Sequence, residues 1–168
     1  MPARVVGLMA CTARHGVIGS KGKIPWQIPR ELAHFQRTSF GSIVVMGRRT
    51  FEEMSGLSLI DARVGVVISG SLAAGSTGKS LHFLRRSAAS ASHDVSVSSP
   101  LSPGDVVVAS CVKDFADRVF PAVVARARGE RDRAFLIGGG ILATEMLEAG
   151  FVHEFILSLI YKVIPGLR

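Results

Sequence analysis

Gly16 to Met54 reads GVIGSKGKIPWQIPRELAHFQRTSFGSIVVMGRRTFEEM, and most of what is specific in this 168-residue chain lies within it. Gly16 to Lys23 puts three glycines and two lysines into eight positions, which predicts a mobile basic loop rather than a regular element. In Pro25-Trp26-Gln27-Ile28-Pro29 both residues before proline are pushed toward extended geometry and neither proline can donate, so the segment is a stiff elbow. Pro29 suits the first position of a helix, and Arg30 to Ser39 continues it with Leu32, Phe35 and Gln36 on one face. Ser42 to Met46 has the length and composition of a strand, and Gly47-Arg48-Arg49-Thr50 then opens a short helix running to Met54.

Two features of this stretch suggest chemistry, and each has a plainer reading. Glu31 in a first helical turn is stabilised at the surface by the helix dipole. It also lies one turn before Phe35 and just after the tryptophan elbow, the setting in which a carboxylate binds a flat, hydrogen-bond-donating ring or has its pKa raised. Arg48 and Arg49 would, on the plain reading, solvate a helix end. With a glycine at the strand exit and helical N–H groups beside them, they also make an anion site, most simply for phosphate.

The whole chain sets bounds. Its length is that of one domain, expected over 1–168, and 48% hydrophobic with 20% charged residues argues for a packed core. The net charge of +7 would attract polyanions, but the basic residues are scattered and no aromatics interleave them, so nucleic acid is not an expected partner. Cys11 and Cys111 form neither a disulfide framework nor a metal pattern, which suits a reducing compartment, the cytoplasm. The apolar run Val5 to Ala13 is too short for a signal core or a membrane span and is read as a buried first strand.

Further strands are expected at Val64 to Ser69, Leu81 to Leu84, Asp105 to Ala109, Phe135 to Ile137 and Phe155 to Ile160. Helices are expected at Asp114 to Arg128, with Pro121 kinking or splitting it, and at Ile141 to Ala149. This alternation predicts an α/β fold, a central, mostly parallel sheet flanked by helices in three layers. From about 69 to 104 the composition turns to Ser, Ala and Gly, a long surface excursion. Within it Ala73 to Ser80 (AAGSTGKS) meets a relaxed phosphate-loop pattern, so an NTP-binding module is an alternative. Strand-like Leu81 to Leu84 follows instead of a helix, and no later strand ends in a magnesium-binding Asp.

Val17-Ile18-Gly19, Pro25 to Pro29, Glu31, Phe35, Met46-Gly47-Arg48-Arg49-Thr50 and Ile137-Gly138-Gly139-Gly140 together resemble the dihydrofolate reductases closely. The resemblance runs from Val5 to Gly166 apart from the 69–104 expansion, and it implies NADPH-dependent reduction of 7,8-dihydrofolate to tetrahydrofolate, with dihydrofolate and antifolate-type molecules as ligands. By this resemblance Glu31, Trp26 and Ser158 are the catalytic group, Glu31 holding the pterin and Ser158 standing where the family often has a threonine bonded to that carboxylate. Met9, Cys11, Phe35, Met54 and Arg63 join Glu31 and Ser158 in binding substrate, Arg63 taking the carboxylate of the glutamate tail. Cofactor would lie against Ala10, Ile18, Gly19, Gly47, Arg48, Arg49, Thr50 and Ser69, and against Ile137, Gly138, Gly139, Gly140 and Ile141. In the family a cis peptide joins the first two of those glycines. No metal is implied. A same-fold reductase of another heterocycle, of the riboflavin-pathway type, is the nearer alternative, and the tryptophan elbow with Glu31 argues against it.

The chain departs from the family pattern in three places. Ala143 stands where a tyrosine is usual, the 69–104 region is expanded, and the C-terminal hairpin that follows the last strand is missing from the sequence given. Family members are usually monomeric. Ile156 to Ile160 is a continuous apolar run, as of a strand covered on both faces and paired on both sides, so without that hairpin association is expected.

Overall fold

Apolar runs of strand length alternate with stretches of helical period along the chain, and they assemble into one sheet with helices on both faces. The computed structural model describes residues 4–54, 60–72, 82–84, 93–94, 100–127 and 133–161. In chain order the elements begin β1 (Arg4–Thr12), α1 (Pro29–Ser39), β2 (Ile43–Gly47), α2 (Arg48–Met54) and β3 (Val64–Ile68). After β4 (His82–Leu84), β5 (His93–Asp94) and β6 (Val106–Ala109) come α3 (Val112–Asp114), a π-helical turn (Phe115–Val119) and α4 (Phe120–Arg126). The chain then runs through β7 (Arg133–Gly138), α5 (Gly140–Glu148) and β8 (Val152–Ile160).

The sheet order is β5-β4-β6-β3-β2-β7-β1-β8. The six strands from β6 to β8 are parallel, and β4 and β5 add an antiparallel edge. β1 and β2 leave a place between them that β7 fills later, so the chain turns opposite ways from this point. In open α/β sheets ligands bind at the carboxyl ends of the strands beside such a reversal.

Strand alternation divides the apolar side chains between two cores. Val5, Ile43, Val45, Val64, Val66 and Leu136 face the π turn, α4 and α5, where Phe115, Val119, Val123, Leu142 and Met146 cover them. Val6, Leu8, Val44, Met46, Val67 and Phe135 face the other way, with Phe35 of α1 and Phe51 of α2 packed against them. Complete burial of β2 from Ile43 to Met46, each worth about 1.5–3 kcal/mol, makes it a fixed frame for the segments at its ends.

Several expectations need correction. The 69–104 region is not wholly a surface excursion: β4 pairs with β6, and Leu101 is 2% exposed in the core. Helix α1 does not bury Leu32, which is 48% exposed, and Gln36 is also exposed. Its inward line is Glu31, Phe35 and Ser39, spaced by four, because Arg63 grips the backbone and hydroxyl on that side. Pro121 splits its helix, as expected, and does so by widening it. Lacking the N–H due to residue 117, the chain passes through a π turn in which Phe120 N–H reaches back to the Phe115 carbonyl.

β8 is not covered on both faces. Phe155, Leu157 and Leu159 are 38%, 50% and 49% exposed while Ile156 packs inward, so the apolar run alternates in environment though not in composition. Among the described residues β8 pairs with β1 alone. No described helix is long and apolar enough to cross a membrane.

Candidate active site

The segment after β1 contains a defined turn. Ser20 and Lys23 exchange backbone hydrogen bonds of 2.9 and 3.0 Å around Lys21 and Gly22, whose φ of 50° and 76° fit the tight two-residue turn. The elbow then brings Trp26 inside. Its ring is 6% exposed, and its indole Nε1 is buried without a hydrogen-bond partner among the described residues. A buried, unpaired N–H costs about 1–3 kcal/mol, so this donor is suited to a water or ligand atom.

Glu31, half-buried in the first turn of α1, sits on the side of the helix that carries Phe35. Desolvation holds its carboxyl above the ordinary carboxylate range, with the charge of His34 acting weakly in the opposite sense. Ala10 of β1 pairs with Ser158 of β8, and Met9 and Cys11 pair with Leu157 and Leu159. Ser158 shares its sheet face with Ile156, which packs in the same core as Phe35, so the hydroxyl and Glu31 belong to one layer. Met9 turns to the opposite core. Cys11 is buried as a free thiol.

Arg63 is not a solvated surface arginine. It is 3% exposed, donating from Nε to Ser39 Oγ at 2.9 Å and from Nη2 to the Gln36 carbonyl at 2.9 Å, and burial lowers its pKa. Ser39 Oγ passes the chain on to the Phe35 carbonyl at 2.7 Å, so Arg63 also fixes the helix that carries Glu31.

On the other side of β1 the glycine run meets α2. Met46 pairs with Gly138, and a Cβ on Gly138 would stand 2.7 Å from both Cγ2 and Oγ1 of Thr50, so only glycine lets β7 end this close to the helix. Gly139, at φ 66°, then turns the chain into α5. The described residues contain no cis peptide, so the Gly138–Gly139 bond is trans here. Gly47 is open, with nothing within 4 Å of an added Cβ. Ile141 is 81% exposed at the start of α5, Ile137 packs against the α1-side core, and Ala143 is buried in the other core.

Arg48 pairs with Glu52 and donates to Ser71 Oγ at 2.9 Å, and Ser71 Oγ lies 3.2 Å from Ser69 Oγ. Arg49 is exposed beside them. Ser71 is 23 residues from Arg48, and nothing local to it in sequence signals a role. The side chain of Met54 and the phosphate-loop-like segment 73–80 lie outside the described residues. A separate cavity of about 490 Å³, lined by residues including Arg4, Val6, His153 and Glu154, opens at the beginning of β1, remote from all of these groups.

The arrangement is that of an α/β protein in which the carboxyl ends of β1, β2 and β7 bring a carboxylate on one side and a cluster of glycine, arginine and hydroxyls on the other into one region. The sequence profile of the dihydrofolate reductase family matches residues 5–98, more than half of the chain, and the chain belongs to that family. It is 46% identical over 50 residues to the dihydrofolate reductase of Mycobacterium tuberculosis, covering 30% of this chain and 31% of that one. It is 40% identical over 65 residues to the type 3 dihydrofolate reductase of Salmonella typhimurium, covering 39% of each. The matched stretch thus spans about a third of the length of these relatives. The fold is similar to that of the Enterococcus faecalis dihydrofolate reductase complexed with NADP(H) and RAB-propyl, with a TM-score of 0.61, 19% identity, and coverage of 98% of this chain and 75% of that one.

Proposed function

We propose that this chain, as a single domain, reduces 7,8-dihydrofolate to tetrahydrofolate with NADPH. The observation that carries the reading is Glu31, a partly desolvated carboxylate in the layer of Phe35 and Ser158, on the helix that follows the elbow of Trp26, whose buried indole N–H has no partner among the described residues. A flat heterocycle with two adjacent N–H donors satisfies such a carboxylate as water cannot. The cofactor reading is supported by the close Gly138–Thr50 approach, which brings the glycine run against the start of α2, and by Arg48, Ser69 and Ser71, which form a polar cluster of one cation and two hydroxyls able to meet a phosphate. Gly139, Gly140, Thr50 and Arg49 would complete it.

When bound, NADPH supplies the hydride. The chain's own groups orient and protonate. Glu31 accepts the ring N–H and exocyclic amine of the pterin and, being negative, favours protonation of the substrate. Trp26 Nε1 holds a water admitted along Gly16 to Ile24, and Ser158 donates to the carboxylate from the same sheet face. Antifolate-type molecules presenting the same pair of donors compete for Glu31. The test is dihydrofolate-dependent oxidation of NADPH by the purified chain, followed by absorbance. Saturable turnover is expected, and binding of both ligands without turnover would refute the proposal.

Arg63→Leu leaves Ser39 Oγ and the Gln36 carbonyl without their buried donor, so stability falls by about 1–3 kcal/mol. Dihydrofolate affinity is expected to fall well beyond that of a pterin without the glutamate tail, since only the former offers a carboxylate. Equal losses in a binding titration would make Arg63 purely structural.

Phe155, Leu157 and Leu159 make an exposed apolar face on β8, and such a face supports self-association. Sedimentation velocity is expected to show concentration-dependent association that Leu157→Lys weakens, and saturating NADPH is expected to raise the melting temperature. A monomer at every concentration, with no shift on adding NADPH, would remove this part of the reading.

A further inference from the structure

Thr12, the last residue of β1, is 7% exposed and makes three hydrogen bonds to the segment that follows it. Its N–H donates to the Val17 carbonyl at 2.9 Å, its carbonyl accepts from Gly16 N–H at 2.8 Å, and its Oγ1 accepts from Val17 N–H at 3.0 Å. The next residue is tied to the sheet as well, Ala13 N–H donating to the Ile160 carbonyl at 3.0 Å. Between these anchors and the Ser20–Lys23 turn, the segment presents Ile18, whose Cδ1 lies 3.2 Å from where a Cβ on Gly140 would stand. Ile18 therefore rests on the first turn of α5, at the end of the glycine cradle.

Only one of the three bonds depends on the side chain. Valine at position 12 would keep the shape of threonine and both backbone bonds but leave Val17 N–H facing a methyl group. Serine would keep the acceptor.

We propose that Thr12 is a positioning residue: its hydroxyl fixes residues 13–19 so that Ile18 is held against Gly140, and this contact sets the affinity for the dinucleotide. The inference rests on the cofactor reading above, and it concerns Thr12 alone. The hydroxyl touches neither substrate nor cofactor. Its effect reaches the cleft through Val17 and Ile18, so it should act on the cofactor and leave the pterin side, held by Glu31, nearly unchanged.

The test compares Thr12→Val and Thr12→Ser with wild type in two measurements. The first is the initial rate of tryptic cleavage after Arg14 with no ligand present; losing one buried hydrogen bond is expected to raise it about tenfold in Thr12→Val and less than about twofold in Thr12→Ser. The second is the dissociation constant for NADPH, expected to rise about tenfold in Thr12→Val and to stay within about twofold in Thr12→Ser, with dihydrofolate binding within about twofold in both. Thr12→Val binding NADPH like wild type overturns the proposal, and so does an equal loss for both ligands. If Thr12→Val does not fold, Thr12→Ala takes its place under the same criteria. Wild-type protein that fails to bind NADPH is a different result and defeats the cofactor reading. Cleavage after Arg14 then judges the anchor alone, acceleration in Thr12→Val supporting it and an unchanged rate overturning it.

Discussion

Glu31→Gln leaves NADPH affinity unchanged and lowers turnover at neutral pH by roughly 10²–10⁴-fold, the range of a lost acid–base group. Glutamine keeps the size and one acceptor but can neither pair with both pterin donors nor favour a cationic substrate. The same substitution should not destabilise the protein at pH 7. Burial raises the folded pKa of Glu31 above its value of 4.5 in the unfolded chain, so between those two pKa values the folded state holds more protons. The contribution of Glu31 to stability is therefore fully present below the unfolded pKa and is lost as pH rises through the folded one. A melting temperature at pH 7 equal to or above wild type, with turnover lost, is the expected pair of results. Wild-type turnover would remove Glu31 from the mechanism.

Gly138→Ala is expected to have the next largest effect. The new Cβ would meet Thr50 Cγ2 and Oγ1 at 2.7 Å, and since Gly138 is held at the end of β7 by its pairing with Met46, α2 must shift to relieve the clash. Overpacking of this kind costs about 1–3 kcal/mol, a factor of about 5–150 if all of it falls on cofactor affinity. Gly47→Ala is the internal comparison. Its added methyl meets nothing within 4 Å, so thermal stability is unchanged and any loss of NADPH affinity reports contact with ligand alone. A fluorescence titration in which Gly138→Ala binds NADPH as tightly as wild type would mean that the cradle is not used.

The parts of the site legible in the sequence are those set by local chemistry. Pro25 to Pro29 can only be an elbow, Pro29 starts a helix, and β2 is an unbroken apolar run, so Glu31 and Gly47 fall where covalent geometry puts them. The illegible parts depend on distant neighbours. Arg63 looks like a surface arginine until α1 folds over it, and Ser71 becomes a partner of Arg48 only when β2 and β3 pair. The three-four pattern of α1 pointed to Leu32, but the grip of Arg63 on Gln36 and Ser39 fixes the helix with Glu31 and Phe35 inward. In β8 every residue from Phe155 to Ile160 but Ser158 is apolar, so composition concealed the alternation that leaves one face exposed. Thr12 gave no signal, because its hydroxyl gains meaning only when the chain turns back at Gly16.

On the proposed function a hydride passes from a nicotinamide to a pterin at the carboxyl ends of β1, β2 and β7. The most direct measurement is a single turnover with NADPH deuterated at the transferring position, with the tetrahydrofolate product analysed by mass spectrometry. Product carrying one deuterium, formed by wild type and strongly reduced in Glu31→Gln, is the predicted result. Unlabelled dihydrofolate recovered intact from protein shown to bind both ligands would contradict it.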